Sequence, residues 1–171
     1  MKKLFVASAA TIGLGLGSVV LAAEGTITIT GEVSDKTCTI NQGSGDKLVP
    51  LSNIAMSSLP AGQVSGVTPF TLEFSGCSAT KVRAHFEPGG NVDAATGDLK
   101  NTQAGGSNVQ VRILNDAQQH IDLRNNSNSQ QVEVTGGSAT LLYHAAYMAP
   151  AGEAVTAGGV KTTVEYSMDY E

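Results

Sequence analysis

An antiparallel all-β sandwich is the fold the sequence predicts, and three observations predict it. Apolar and polar residues alternate with period two along most of the chain, while the spacing of a helix face almost never occurs. Twenty glycines are spread through 171 residues of which only 15% are charged, so the long charged side chains that coat helix surfaces are scarce and the residue that most weakens helices is abundant. Clusters of Gly, Asn, Ser and Pro separate the alternating runs, which is the punctuation of short strands and turns. Hydrophobic residues make up 41% and tryptophan is absent, a composition that can fill one core and is unlike high-charge disorder. The length suits a single domain.

The first residues are expected to be removed rather than folded. Lys2 and Lys3 precede an apolar run over 4–21, and Val20-Leu21-Ala22 offers the small-residue spacing of a cleavage site, which reads as a secretory signal. A membrane helix is the alternative for a run of this length. Gly13, Gly15 and Gly17 and the missing basic flank argue for the signal. Cleavage after Ala22, or after Ala23, leaves about 149 residues, enough to bury roughly 70% of the unfolded surface.

Strands follow in order. Ile27, Ile29 and Val33 alternate with Thr28, Thr30 and Glu32, and the pattern resumes over 38–40 after Asp35-Lys36. Residues 70–74 lead directly into Cys77, and 82–86 are stopped by Pro88-Gly89-Gly90. The cleanest central strand is 109–113, followed by 120–123, 131–134, 140–148 and a last strand over 160–170. Turn-rich stretches at 41–46, 96–108, 125–129 and 149–159 separate them. Eight or so short strands joined in this way point to an immunoglobulin-like architecture. In the last strand Val160, Val164, Tyr166, Met168 and Tyr170 share one face, which would offer a partner both a ladder edge and alternating anchors.

Charge and motif content narrow the function. Ten Lys plus Arg against fifteen Asp plus Glu give a net charge of -5, so binding nucleic acid by counterion release has no electrostatic basis. No GxSxG occurs; Gly105-Gly106-Ser107 and Gly136-Gly137-Ser138 read as turns, and the acceptor triplet Asn125-Asn126-Ser127 likewise. His85, His120 and His144 are scattered without ligand spacing, and Glu73, Glu87, Asp93 and Asp98 are not singled out as a catalytic pair. No enzyme, metal site or cofactor is expected. Cys38 and Cys77 in an exported chain meet an oxidising compartment, where a pair tends to close; two buried thiols are the alternative. The segment Gly25-Thr26-Ile27-Thr28-Ile29-Thr30-Gly31 is strand-forming and nearly uncharged, an aggregation hazard if exposed. It either pairs within its own sandwich or is meant for another chain.

The signal peptide, Gly31-Glu32-Val33 followed by Cys38, the Phe74-Ser75-Gly76-Cys77 context, the strands over 109–114 and 143–147 and the penultimate Tyr170 together resemble a structural pilin of the chaperone–usher pathway of Gram-negative bacteria, most nearly the major subunit of type 1 fimbriae. The resemblance covers essentially all of the chain after the signal. It implies an immunoglobulin-like sandwich that lacks its final strand and is completed by a donor strand from another chain. The parts it implies are a cleaved signal over 1–22, a donor extension over 23–32 and a pilin domain over 33–171. The implied partners are a periplasmic chaperone, an outer-membrane usher and neighbouring copies of the subunit, and the implied location is the cell-surface fimbrium. Gly25, Ile27, Ile29 and Gly31 match the alternating donor positions, with Gly25 where the strand must pass closely. Cys38 and Cys77 match the disulfide, and Val164, Tyr166, Met168 and Tyr170 match the terminal strand that lines the groove and zippers onto the chaperone. Only Ala23 and Glu24 precede Gly25, a shorter extension than relatives often carry. A minor or adaptor pilin of the same pathway is the alternative within the family. A tip adhesin would need a second domain, and a periplasmic sandwich that binds a ligand or metal is the alternative outside the family.

Overall fold

The computed structural model describes residues 28–30, 33, 35 and 37–171. By its contacts the chain divides into two units, Met1–Val33 and Ser34–Glu171. The signal, and Gly25, Ile27 and Gly31 of the donor segment, lie outside the described residues. Ile29 and Val33 are described, and both side chains are exposed.

Among the described residues the second unit has eight strands: β1 (Thr39–Ile40), β2 (Val64–Ser75), β3 (Lys81–Phe86), β4 (Leu99–Lys100), β5 (Gln110–Leu114), β6 (Gln131–Glu133), β7 (Ser138–Met148) and β8 (Tyr166–Tyr170); β4 falls in the stretch 96–108 expected to be turn, and the others follow alternating runs. Five make one antiparallel sheet in the order β1-β2-β7-β5-β4, and three make the other, β6-β3-β8. The buried positions are those the period-two pattern sends inward: Leu72 and Phe74 from β2, Val82, Ala84 and Phe86 from β3, Val111 and Ile113 from β5, and Leu141, Tyr143 and Ala145 from β7. Tyr143 is at the centre, with ring centroids 5.6 Å from Phe70 and 5.4 Å from Phe86, and burial pushes its hydroxyl up to about 12. Cys38 and Cys77 are joined as a disulfide that ties the start of β1 to the end of β2.

Three further sequence expectations change. Residues 120–123 make only isolated bridges, Leu114 with His120 and Asp122 with Ser127. Ile121 and Leu123 are fully buried, so the alternation there records two core side chains on a turn. The strand expected from Phe70 begins at Val64, with a bulge between Ser65 and Thr68 where Gly66 adopts φ +67°, a conformation open to glycine. The terminal strand expected over 160–170 enters a ladder only from Tyr166.

Among the described residues one charged group is fully buried. Asp98, just before β4, accepts hydrogen bonds from Arg112 Nε and Nη2, each 2.8 Å, and His120 Nε2 lies 3.0 Å from the same Oδ1. Burial alone would raise this carboxyl, but the hydrogen bonds and charges of Arg112 and His120 outweigh it and hold it below its ordinary value of 3.8. Nearby, the Arg124 hydrogen bond to Asp122, 2.8 Å from Nε, holds that carboxyl at about 2 against a smaller opposing effect of burial. Both folded values lie below the unfolded ones, so the stability they contribute is complete above pH ~4 and is lost as pH falls through the folded values. Melting temperature measured against pH should therefore be level from neutrality to mild acid and drop between about pH 4 and pH 2. A curve that is flat to pH 2 would show that neither carboxylate is held as described.

Candidate functional site

A long apolar groove opens between two segments that belong to neither sheet. One wall is 46–56, following β1; the other is 155–165, leading into β8. Its floor is the sandwich core itself, with Leu72, Phe86, Leu99, Val111, Ile113 and Ala145 facing the opening. The space measures about 1050 Å³, against about 30 Å³ for one water in the liquid. It therefore has room for a row of side chains.

The first wall is nearly free of backbone partners. Among the described residues, none from Lys47 to Ile54 makes a backbone–backbone hydrogen bond. Val49 and Leu51 lean on the core and Ile54 on a smaller cluster of Leu59, Val109 and Ala149, while Leu48 and Met56 stand exposed. Tyr147 Oη donates to Ser52 O at 3.2 Å, tying this wall to the floor.

The second wall is half satisfied. The carbonyls of Gly159, Lys161, Thr163 and Glu165 accept from Ser107 N, Thr102 N, Asn91 Nδ2 and Glu87 N, at 3.1, 2.8, 3.0 and 2.9 Å. Successive backbone groups of an extended chain point to opposite edges, so those of Val160, Thr162 and Val164 face the groove. Among the described residues none of these three backbones is hydrogen-bonded. The same edge continues along β8, which among the described residues pairs only with β3. From Val160 to Tyr170 the side chains alternate between half-buried and exposed, with the even-numbered row against the core. A strand placed here would find both a ladder edge and an apolar floor.

Of the sequence-predicted site residues, Val164 and Tyr166 line the groove. Met168 and Tyr170 pack against the core from β8 and are not among its lining. The Tyr166 hydroxyl donates to Gly45 O across the end of the first wall. Tyr166→Phe should cost about 0.5–1.5 kcal/mol, read as a lower melting temperature with the core otherwise intact; an unchanged melting temperature would mean that this bond does not hold the wall. The three histidines lie apart. His144 Nδ1 is 3.1 Å from Asn115 O beneath the surface of β7, His120 faces Asp98, and His85 is 3.4 Å from Asn126.

Sequence reasoning missed the asparagines behind the second wall, Asn91, Asn101 and Asn108. Their contacts with it span 46 to 72 positions, and no local pattern marks them.

Comparison with known proteins agrees with this geometry. A family model described as "Fimbrial protein" matches residues 27–171. The chain is 39% identical over 166 residues to an Escherichia coli protein named "F17 fimbrial protein", spanning 90% of this chain and 91% of that one. It is 42% identical over 160 residues to "Major fimbrial subunit SMF-1" of Stenotrophomonas maltophilia, spanning 87% and 94%. Among solved structures it is similar to the P pilus rod subunit PapA, with TM-score 0.61 and 21% identity over 78% of this chain and 99% of that one. A subunit from the structure of a chaperone–usher pilus superposes with TM-score 0.62 at 23% identity, covering 95% and 100%. At these identities the two structures speak to the fold.

Proposed function

This chain belongs to the fimbrial protein family, and from that premise we propose that it is a structural subunit that polymerises head to tail, each groove being filled by the N-terminal strand of the next copy. The single observation that carries this reading is the groove itself, an apolar floor flanked by a wall whose inward-facing peptide groups lack partners. An unpaired edge over an open core is costly for a lone domain. A strand laid into it repairs both defects at once, with about 1.5 to 3 kcal/mol for each fully buried Ile and about 0.5 to 1.5 kcal/mol for each net hydrogen bond. Because the donor lies at one end of the chain and the acceptor elsewhere, the contact is heterologous, does not close, and makes a filament.

Residues 23–32 are the donor in this reading, with Gly25, Ile27, Ile29 and Gly31 turned to the floor. Val164 and Tyr166 belong to the accepting wall, and Met168 and Tyr170 extend its edge. Before assembly the same groove would be covered by a periplasmic chaperone strand and released at an outer-membrane usher. The subunit is exported and ends at the cell surface, in a family of structural proteins. Electron microscopy of cells with and without this chain tests the reading. Surface filaments should disappear without it and return on complementation. Filaments of unchanged number and length would remove the rod role and leave that of a minor subunit, which copy number in purified fibres would then measure.

A further inference from the structure

The accepting wall is built in an unusual way for a strand edge, because side chains share its home side with scattered backbone donors where a continuous ladder would be expected. Asn101 does most of this. Its Nδ2 donates to Ser107 O at 2.8 Å and to Gly159 O at 2.9 Å, while its Oδ1 accepts from Lys161 N at 2.9 Å and from Gln103 N at 3.0 Å. A carboxamide carries the same donor and acceptor as a peptide group, so this one side chain supplies the wall with a rung on both Gly159 and Lys161. Thr102 adds two more bonds, its N and Oγ1 each donating to Lys161 O at 2.8 Å. The backbone around it is shaped to allow the approach: a Cβ on Gly106 would collide with Gly159 O and lie 2.7 Å from Asn101 Nδ2.

We propose that Asn101 is the positioning residue of strand acceptance: by occupying the home-side groups of Gly159 and Lys161 it turns the peptide groups of Val160 and Thr162 into the groove, in register for an incoming strand. The proposal rests on the donor-strand reading above. With the Asn101 amide gone, Lys161 N loses its partner and Gly159 O keeps only the bond from Ser107 N, so the wall is less firmly held against rotation by one residue. That one step would send its apolar row outward and its odd-numbered backbone groups inward. Asn91 and Asn108 hold the wall on either side of this point, at Thr163 and at Ala154 and Thr156, so the effect of losing Asn101 is confined to Val160 and Thr162.

The test is amide hydrogen exchange, site by site, in filaments assembled from the full mature chain. Wild-type filaments should protect Val160, Thr162 and Val164. Asn101→Asp keeps the two accepted bonds but sets a carboxylate against two carbonyls, and exchange at Val160 and Thr162 should rise on the order of tenfold while Val164, β2 and β7 stay as in the wild type. Assembly should slow by a similar factor. Unchanged exchange at Val160 and Thr162 overturns the proposal, and so does a uniform rise through β2 and β7, which would make Asn101 an ordinary stabilising residue. If Asn101→Asp forms no filaments, Asn101→Ser, which removes the amide's bonds to Gly159 O and Lys161 N without adding a charge, is read in the same way. A rise confined to Val160 and Thr162 upholds the proposal, and no rise or a uniform one overturns it. Wild-type filaments that leave all three amides unprotected would overturn the donor-strand reading itself, a result separate from any difference between the variants.

Discussion

Filaments grown from wild-type chain mixed with Ile29→Asp should become shorter as the fraction of variant rises, because on the proposed donor-strand reading the variant would accept a neighbour's strand but could not donate its own. The groove floor is apolar, and placing Ile there gains about 1.5 to 3 kcal/mol. A carboxylate in the same place loses that gain and adds the cost of an unpaired buried charge. Together the change is roughly 4 kcal/mol or more, about a thousandfold in the donating equilibrium. The variant's own groove is built from 46–56, 155–165 and the core, none of which contains residue 29, so folding and acceptance should stay intact. Ile27→Asp should behave alike, whereas Thr28→Asp, one position off the apolar row, should assemble near normally. A peptide of residues 23–33 should raise the melting temperature of the variant, as a ligand of the native state must. The mechanism is wrong if Ile29→Asp alone polymerises at the wild-type rate. It is equally wrong if the variant cannot fold and the peptide has no effect, since the strand would then belong to its own sandwich.

The parts of this fold that were legible in the sequence are those in which side-chain alternation and ladder pairing coincide. β3, β5 and β7 are half-buried or buried strands with partners on at least one side, so the period that sorts their side chains also marks their extent. The same period continues through 160–165, but there it reports only which side chains face the core; whether a neighbour exists on the open edge is a property of the rest of the chain. The alternation at Ile121 and Leu123 had the opposite outcome. Both are buried, yet their backbone N–H groups go to Ile113 O and Gly97 O, so two core contacts resemble a strand without being one. The first half of β2 contains Gly66 and Pro69, which interrupt the alternation before Phe70, and a bulge takes up the glycine. The groove was legible only through resemblance to a family. Its first wall shows no pattern beyond Val49, Leu51 and Ile54, and its second is held by asparagines that sequence distance conceals.

The buried ion pair behind the groove floor gives the second large effect. Arg112→Met should lower the unfolding free energy by about 3–5 kcal/mol, the usual cost of leaving one partner of a buried pair alone. Asp98 has no exposed surface, so without the two guanidinium bonds its carboxylate keeps only the contact with His120. The neighbouring Leu99, Val111 and Ile113 line the groove, so the loss should appear in strand acceptance as well as in stability. The pH dependence should also change sign. In the wild type the Asp98 value is held down and its contribution fades as pH falls; in the variant burial dominates, the folded value lies above the unfolded one, and protonation relieves the penalty. The gap in urea midpoint between wild type and variant should therefore narrow as pH falls through about 4. Replacing both partners, Asp98→Leu with Arg112→Met, should recover most of the loss, since a matched apolar pair needs no charge compensation. A single variant that costs less than about 1 kcal/mol, or a gap that stays constant from pH 7 to pH 3, would show that this pair does not carry the stability of the floor.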